Sequence, residues 1–245
     1  MVSDMKRLLS VLLLAMLILT SGIIPVFATE DHTHSWSDWE TTRNATPYKE
    51  GSKSRICMIC YAEQTEIIPK KKLTKNQKKA VNVVKSYLKY AKKFDTKKMK
   101  SCFRTYKTIT VYDYTVKALK KHNKKIRWVM VDVTVNGKII KVKAKITRPD
   151  LYNRVYANYY KWFQWQYRHQ NASDAKTESA LIKIEKPNLK KSTGTSTDTV
   201  TFTIVKTKKG WKIKNRNRTM TDIATGFYFK ARRDAYDQFC EDYGL

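Results

Sequence analysis

Val129-Met130-Val131-Asp132-Val133-Thr134-Val135-Asn136-Gly137-Lys138-Ile139-Ile140-Lys141-Val142-Lys143-Ala144-Lys145-Ile146 is the stretch that decides the fold. Val129, Val131, Val133 and Val135 recur at every second position, and so do Ile140, Val142, Ala144 and Ile146. Strand side chains point to alternate faces, so each run offers one apolar face to a core. Asn136-Gly137 between the runs is a two-residue hairpin signal, because both residue types tolerate the positive φ that such a turn requires. A second pair follows the same logic. Val200, Phe202 and Ile204 alternate within Thr199 to Val205, and Trp211-Lys212-Ile213 returns after Lys208-Lys209-Gly210.

Helical periodicity surrounds these hairpins. Ala80, Val81, Val84, Tyr87, Leu88, Ala91 and Phe94 recur at three- and four-residue steps, with Lys78, Lys79, Lys85, Lys89, Lys92 and Lys93 on the other side. The spacing predicts an amphipathic helix whose solvated face is wholly basic. Asp95 is placed to cap a second helix carrying Met99, Cys102, Phe103 and Tyr106, and a third is predicted around Tyr114 to Lys121. Arg148-Pro149-Asp150 ends the first hairpin and opens a helix that runs to about His169. Lys190 to Thr197 reads as a Ser/Thr-rich loop, and Thr221 to Tyr243 as a closing helix that Gly226 weakens.

The 245 residues carry Lys+Arg 50 against Asp+Glu 21, a formal net charge of +29, with 42% hydrophobic residues and only Gly 7 and Pro 5. Such a chain has enough apolar surface for a core and too few Gly and Pro for a low-complexity linker protein. Its N-terminus reads as a secretory signal peptide over residues 1–28: Lys6 and Arg7, the apolar run from Leu8 to Leu19, then Pro25-Val26-Phe27-Ala28 before cleavage at Thr29. An uncleaved anchor is the competing reading, since Leu8 to Phe27 is about the ~20 residues that span a bilayer. No cysteine follows the run to carry a lipid. The segment removed holds Lys6, Arg7 and Asp4, so the exported chain keeps all but one of its excess positive charges. Outside a cell, that field attracts anionic cell-wall polymers, membrane surfaces, acidic glycans and nucleic acid alike. Dispersed lysines that merely keep the chain soluble are the plain alternative.

Residues 29–69 differ in composition from the rest and form a separate module. They contain His32-Thr33-His34-Ser35-Trp36-Ser37-Asp38-Trp39, Ala45-Thr46-Pro47, Gly51 and Arg55-Ile56-Cys57-Met58-Ile59-Cys60. Two imidazoles and two thiolates are a ligand set that tetrahedral zinc accepts, which makes His32, His34, Cys57 and Cys60 candidate ligands for a structural zinc. The histidines precede the cysteines by over twenty residues, without zinc-finger spacing. A Cys57–Cys60 disulfide and free thiols are the competing readings. The segment resembles the short Trp- and Cys-x-x-Cys-containing repeat of secreted and surface proteins of Gram-positive bacteria, clostridia especially. It departs from that repeat at Pro47, where a cysteine is usual, and at Tyr61, where a glycine usually follows the second cysteine. Lys70-Lys71-Lys72-Leu73-Thr74-Lys75-Asn76 is then a self-repelling linker over 70–76, leaving 77–245 as the second domain.

The predicted helix from Asp150 to His169 is dense in aromatics, and Tyr156, Tyr159, Trp162, Phe163 and Trp165 are its candidate ligand or partner surface. Rings beside Lys and Arg can stack on bases or sugars, although plain core packing explains the same pattern. Helices first, hairpins after, and the late Gly210-Trp211-Lys212-Ile213 strand resemble the NTF2-like (cystatin-like) fold of small exported bacterial domains over Thr74 to about Arg218. The resemblance implies an α+β domain with N-terminal helices packed on a curved antiparallel sheet. Members of that fold serve as enzymes, binding modules and assembly domains, so fold alone selects no activity.

No catalytic residue stands out. Asp113, Asp132 and Asp150 lie near element ends with no spacing that singles out one, and His122 and His169 lack a recognisable nucleophile. There is no P-loop and no Gly-x-Gly-x-x-Gly sequence. Cys102 and Cys240, on the apolar sides of predicted helices, read as buried thiols before a bridge. The expectation is a secreted, strongly basic binding or interaction protein of the bacterial cell envelope, with no cofactor other than structural zinc. The basic helix would contact an anionic cell-wall polymer or membrane surface, with a protein partner or a second copy as further candidates and nucleic acid behind them. A pocket-based isomerase or hydrolase, and a structural assembly module, are the alternatives.

Overall fold

The structure, a computed structural model, describes residues 32–245, and the signal peptide expected over residues 1–28 lies outside them. β1 (Glu40–Arg43), β2 (Gly51–Ile56) and β3 (Glu63–Ile68) make a three-stranded sheet in that order. There follow α1 (Lys75–Lys93), α2 (Thr96–Ser101), β4 (Phe103–Thr105), α3 (Asp113–His122), a 3-10 turn (Asn123–Lys125), β5 (Arg127–Asn136) and β6 (Ile139–Asp150). The chain continues through α4 (Tyr152–Arg168), α5 (Asp174–Leu189), β7 (Gly194–Thr207), β8 (Gly210–Asn215), α6 (Arg218–Thr225) and α7 (Tyr228–Tyr243). The protein is therefore α+β. Among the described residues, 32–40 with 53–66 form one compact unit, and 41–52 with 67–245 form the other.

The larger unit is built on a five-stranded sheet ordered β4-β8-β7-β6-β5, antiparallel except where β4 runs parallel to β8. Ile140, Val142, Ala144 and Ile146 of β6 are all buried, as their alternation predicts, and they pair with Ile204, Phe202, Val200 and Asp198 of β7. On β5 the alternation is broken. A bulge between Met130 and Asp132 turns Met130 inward opposite Ala144 and leaves Val129, 67% exposed, outside opposite Lys145. The turn also sits one residue later than expected, since Asn136 pairs with Ile139 and the loop is Gly137-Lys138. Only Gly137 there has positive φ, 55°.

Helix α1 begins with a capping box. The Thr74 hydroxyl accepts the Gln77 N–H at 3.3 Å, and Gln77 Oε1 accepts the Thr74 N–H at 2.8 Å. It ends on Phe94 in the left-handed region, with Lys92 and Lys93 in a last turn whose free carbonyls favour positive charge. Ala80, Val81, Val84, Tyr87, Leu88 and Ala91 are buried along it. One amide ties two helix ends together: the Asn123 side chain donates to the Ala91 carbonyl at 2.8 Å and to the Ala224 carbonyl at 2.7 Å. Both carbonyls lie in the last turns of their helices, where Ala91 also accepts the Phe94 N–H at 2.9 Å, and the buried Asn supplies a donor that water would otherwise have to.

Two expectations change, one further helix is added, and the closing helix breaks where Gly226 weakens it. The second helix stops at Ser101, because Phe103 enters β4 opposite Ile213 and its ring packs edge-on against Tyr87. α5 was not legible as a helix: its apolar residues are sparse, and Ala180, Leu181, Glu185 and Leu189 are what it buries. The second half of the expected Ser/Thr loop lies within β7, whose Gly194 to Thr197 pair with Asp150 to Thr147. The closing helix divides into α6 and α7 at Gly226, φ 55°, and Phe227, φ 68°.

Gly226 is constrained twice, by its left-handed backbone and by the Pro149 carbonyl, which a Cβ would meet at 2.9 Å. Gly137 shares the φ but faces open space. Gly137→Ala should therefore cost only the left-handed penalty of roughly 1–2 kcal/mol, and Gly226→Ala about 3 kcal/mol or more, read as the difference in urea midpoints of the full chain.

Candidate metal centre

In the smaller unit an isolated bridge between Trp36 and Cys57 sets the two halves of a ligand set side by side. The Ser37 N–H donates to the Ile56 carbonyl at 2.9 Å and the Met58 N–H to the Ser35 carbonyl at 2.7 Å, so the His-x-His segment runs alongside the strand that delivers Cys57. A tight turn closes behind it, with the Tyr61 N–H donating to the Cys57 carbonyl and the Cys57 N–H to the Ala62 carbonyl, both at 2.9 Å. Arg55 lies over the faces of Trp36 and Trp39 at 5.0 and 4.6 Å from their centroids, and its Nε donates to Gln64 at 2.7 Å. Cation–π contact and a pinned guanidinium together order the tryptophans beside the site.

The four ligand atoms of His32, His34, Cys57 and Cys60 all lie within 4.8 Å of one another. Cys57 Sγ is 3.8 Å from His32 Nε2, and Cys60 Sγ is 3.5 Å from His34 Nδ1. They are close enough to hold a metal ion. Cys57 is buried and Cys60 exposed, both as free thiols. Burial pushes the Cys57 thiol up, but the N–H groups of Cys60 and Ile59 and the two imidazoles outweigh it and bring the thiol down to about 5. A sulfur that favours its thiolate form suits a cation.

Other residues singled out from the sequence lie on the larger unit. Lys78, Lys79, Lys85, Lys89 and Lys93 are exposed along α1, with Lys92 half-buried, and none forms an ion pair among the described residues. The aromatic helix is α4. Tyr159 and Phe163 are buried, while Tyr156, Trp162 and Trp165 are half-buried. Phe163 packs on Tyr236 and Phe239 of α7, and the Trp162 Nε1 donates to the Thr177 carbonyl of α5 at 3.1 Å. Trp165 stacks on His169 at 4.4 Å and borders a shallow groove with Lys176 and Lys183. Cys102 is buried, where burial raises its thiol, and Cys240 is half-buried.

One cluster had no signal in the sequence. Glu185 on α5 is fully buried, takes the Tyr114 hydroxyl on Oε2 at 2.5 Å, and neighbours the Tyr159–Tyr228 hydroxyl pair at 2.7 Å. Burial pushes its carboxyl up, against the pull of the Tyr114 and Tyr228 hydroxyls and Arg232. A glutamate in a lysine-rich stretch looks solvated until the packing of α4 and α7 encloses it.

No protein-family model matches the chain, and no curated protein is recognisably similar to it in sequence. Among solved structures it is similar to that of a candidate lipoprotein (ycdA) from Bacillus subtilis, at 12% identity, over 73% of this chain and 68% of that one, with a TM-score of 0.36. A likeness at that level carries no argument about fold or activity. No helix among the described residues is long and apolar enough to cross a membrane.

Tyr61, directly after Cys60, stands in the left-handed region at φ 61° with its side chain 77% exposed. The position suits glycine for conformational reasons, and the ring buries little in return. Tyr61→Gly should relieve about 1 kcal/mol of strain, slowing amide exchange across residues 57–62 by about fivefold.

Proposed function

We propose that this is a secreted, strongly basic binding protein of the bacterial cell envelope, held against an anionic wall polymer by α1 and the lysines before it. The observation that carries the reading is the charge on that surface. From Lys70 to Lys93 the chain contains Lys70, Lys71, Lys72, Lys75, Lys78, Lys79, Lys85, Lys89, Lys92 and Lys93, and no Asp or Glu. With its apolar face buried against the sheet, α1 turns its lysines outward, so their charges add to one field instead of being neutralised within the fold. In this reading the NTF2-like resemblance describes a scaffold for binding. Trp162 and Phe163 are committed to helix packing against α5 and α7, which favours binding over the isomerase or hydrolase alternative.

The polymer contact is electrostatic and therefore salt-sensitive. Six lysine–phosphate contacts would lose about 1,000-fold in affinity between 50 and 200 mM salt, by the counterion-release argument. Binding of the chain to immobilised poly(glycerol phosphate) should follow that steep dependence. Replacing Lys78, Lys79, Lys85, Lys89, Lys92 and Lys93 by Gln should flatten it, and an affinity unchanged across that range in the parent chain would overturn the proposal.

The smaller unit, in the same proposal, is stapled by a structural zinc on His32, His34, Cys57 and Cys60. A module this small has little core, and a closed two-thiolate, two-imidazole set supplies the cohesion that burial does not. Native mass spectrometry of the chain, purified without a metal-affinity tag, should show one zinc that chelation removes. A C57S/C60S variant should carry none. A metal-free mass two hydrogens light would instead indicate a Cys57–Cys60 bridge.

A further inference from the structure

At one end of the sheet, the segment after β4, the β8–α6 connection and the start of α7 line an open pocket of about 700 Å³. Five cationic side chains line it: Lys107, Arg216, Arg218, Lys230 and Arg233. Its one carboxylate is Asp222, half-buried, whose acidity burial weakens and which is faced by Arg148, Arg233 and Lys230. Arg148, outside the lining, is 3% exposed, with Nη2 paired to Asp198 and Nε and Nη1 without a hydrogen-bond partner. The wall charge is therefore strongly positive even after Lys230 and Arg233 have met Asp234. Ile109 and Phe229 give the cavity an apolar side, and Thr108, Thr110 and Asn217 add polar groups.

A neighbouring groove of about 590 Å³ links this pocket to the C-terminal end of α1: it shares Thr108, Ile109 and Thr110 with it and is lined by Lys93, Lys97 and Lys120 against one carboxylate, Asp95. A basic track thus leads from the C-terminal end of α1 over the Thr108–Thr110 ridge to the three arginines. Long lysine stems present point charges and suit loose contact with a polyanion. Guanidinium groups present forked donors that match phosphate oxygens two at a time.

We propose that the cavity is a binding site for an organic phosphate, with Arg216, Arg218 and Arg233 on the phosphate and Ile109 and Phe229 against its carbon skeleton. A monocarboxylate would leave most of that positive charge unmatched, and an uncharged sugar would leave all of it. The inference deepens the envelope reading and rests on it only in naming the source: the site takes a phosphodiester unit of the wall polymer or a free phosphomonoester, which share the anionic phosphate oxygens that guanidinium groups fork onto.

Calorimetry of the full chain with glycerol 3-phosphate and with glycerol, at fixed ionic strength, tests it. Glycerol 3-phosphate should bind one per chain and glycerol should give no heat. R216Q/R218Q should weaken binding at least tenfold, whereas K208Q/K209Q in the exposed β7–β8 turn, equal in charge change, should alter it less than twofold. Equal losses in the two variants would reduce the effect to net charge and overturn the site. If R216Q/R218Q does not fold, the parent chain decides: its thermal midpoint should rise with glycerol 3-phosphate above a sodium chloride control of matched ionic strength, and no rise overturns the site. The failures are separable. Salt-steep retention on poly(glycerol phosphate) without glycerol 3-phosphate binding removes the cavity and keeps the envelope reading; the reverse removes the polymer contact and keeps the cavity. Elution of bound chain from the polymer by glycerol 3-phosphate would assign the site to the polymer's phosphate units, and binding without elution would assign it to a free phosphomonoester.

Discussion

Strand β6 is paired along both edges, with β5 from Ile139 to Thr147 and with β7 from Ile139 to Asp150. Its backbone groups are thereby satisfied inside the sheet, and a one-residue slip would carry every side chain to the wrong face. That constraint sorts the strand. Ile140, Val142, Ala144 and Ile146 become the floor on which α1 rests, while Lys141, Lys143 and Lys145 are driven outward and remain exposed. Extending the pairing to Asp150 also places Pro149, whose carbonyl lies against Gly226 and whose neighbour Leu151 donates its N–H to the Gly226 carbonyl at 3.0 Å. The break between α6 and α7 is thus tied to the far end of the central strand.

From that break, α7 runs alongside α4 in the same sense, Tyr152 meeting Asp234 near their starts and Tyr167 meeting Tyr243 near their ends, and the aromatic side chains close on one another. Tyr159 meets Tyr228 edge-on at 5.9 Å, Phe163 meets Phe239 at 5.8 Å, and Tyr167 meets Tyr243 at 4.8 Å. Edge-on and tilted rings bury large areas with favourable quadrupole contacts. Two tyrosine hydroxyls that such packing would strand are used on each other, and Tyr114 satisfies one oxygen of Glu185. This part of the larger unit is a polar network sealed within an aromatic core. The unit meets solvent through cations instead, on α1, on the outer sheet face and around the arginine-lined cavity.

The smaller unit follows a different logic. It has few buried residues, Cys57 among them, and is organised by a bridge, a tight turn and rings held under Arg55. A strained Tyr61 in a turn that delivers two cysteines is tolerable where ligand geometry is worth more than local backbone comfort. The two units therefore differ in cohesion: hydrophobic burial holds one, and the bridge, the turn and the rings under Arg55 hold the other, to which the proposed zinc would add.

Alternation and periodicity were legible without coordinates, and so were both hairpins, α1 with its lysine face, the cysteine–histidine set and the weakness at Gly226. Each depends on residues close in sequence, whose spacing fixes which face they share. The bulge that exchanges Met130 for Val129, the short β4, the extension of β7 through the Ser/Thr run and the helix α5 depend on partners far along the chain. Phe103 becomes a strand residue only because Ile213 lies beside it, and Glu185 becomes a buried acid only because α4 and α7 cover it. The arginine cavity is of this second kind. Lys107, Arg216 and Arg233 are separated by long stretches of chain, and nothing but the closing of the sheet end by α6 and α7 gathers their charges around one space. Charge sign and helix face were local properties and could be read directly; convergence of charge is a property of topology, set by which distant segments the sheet brings together.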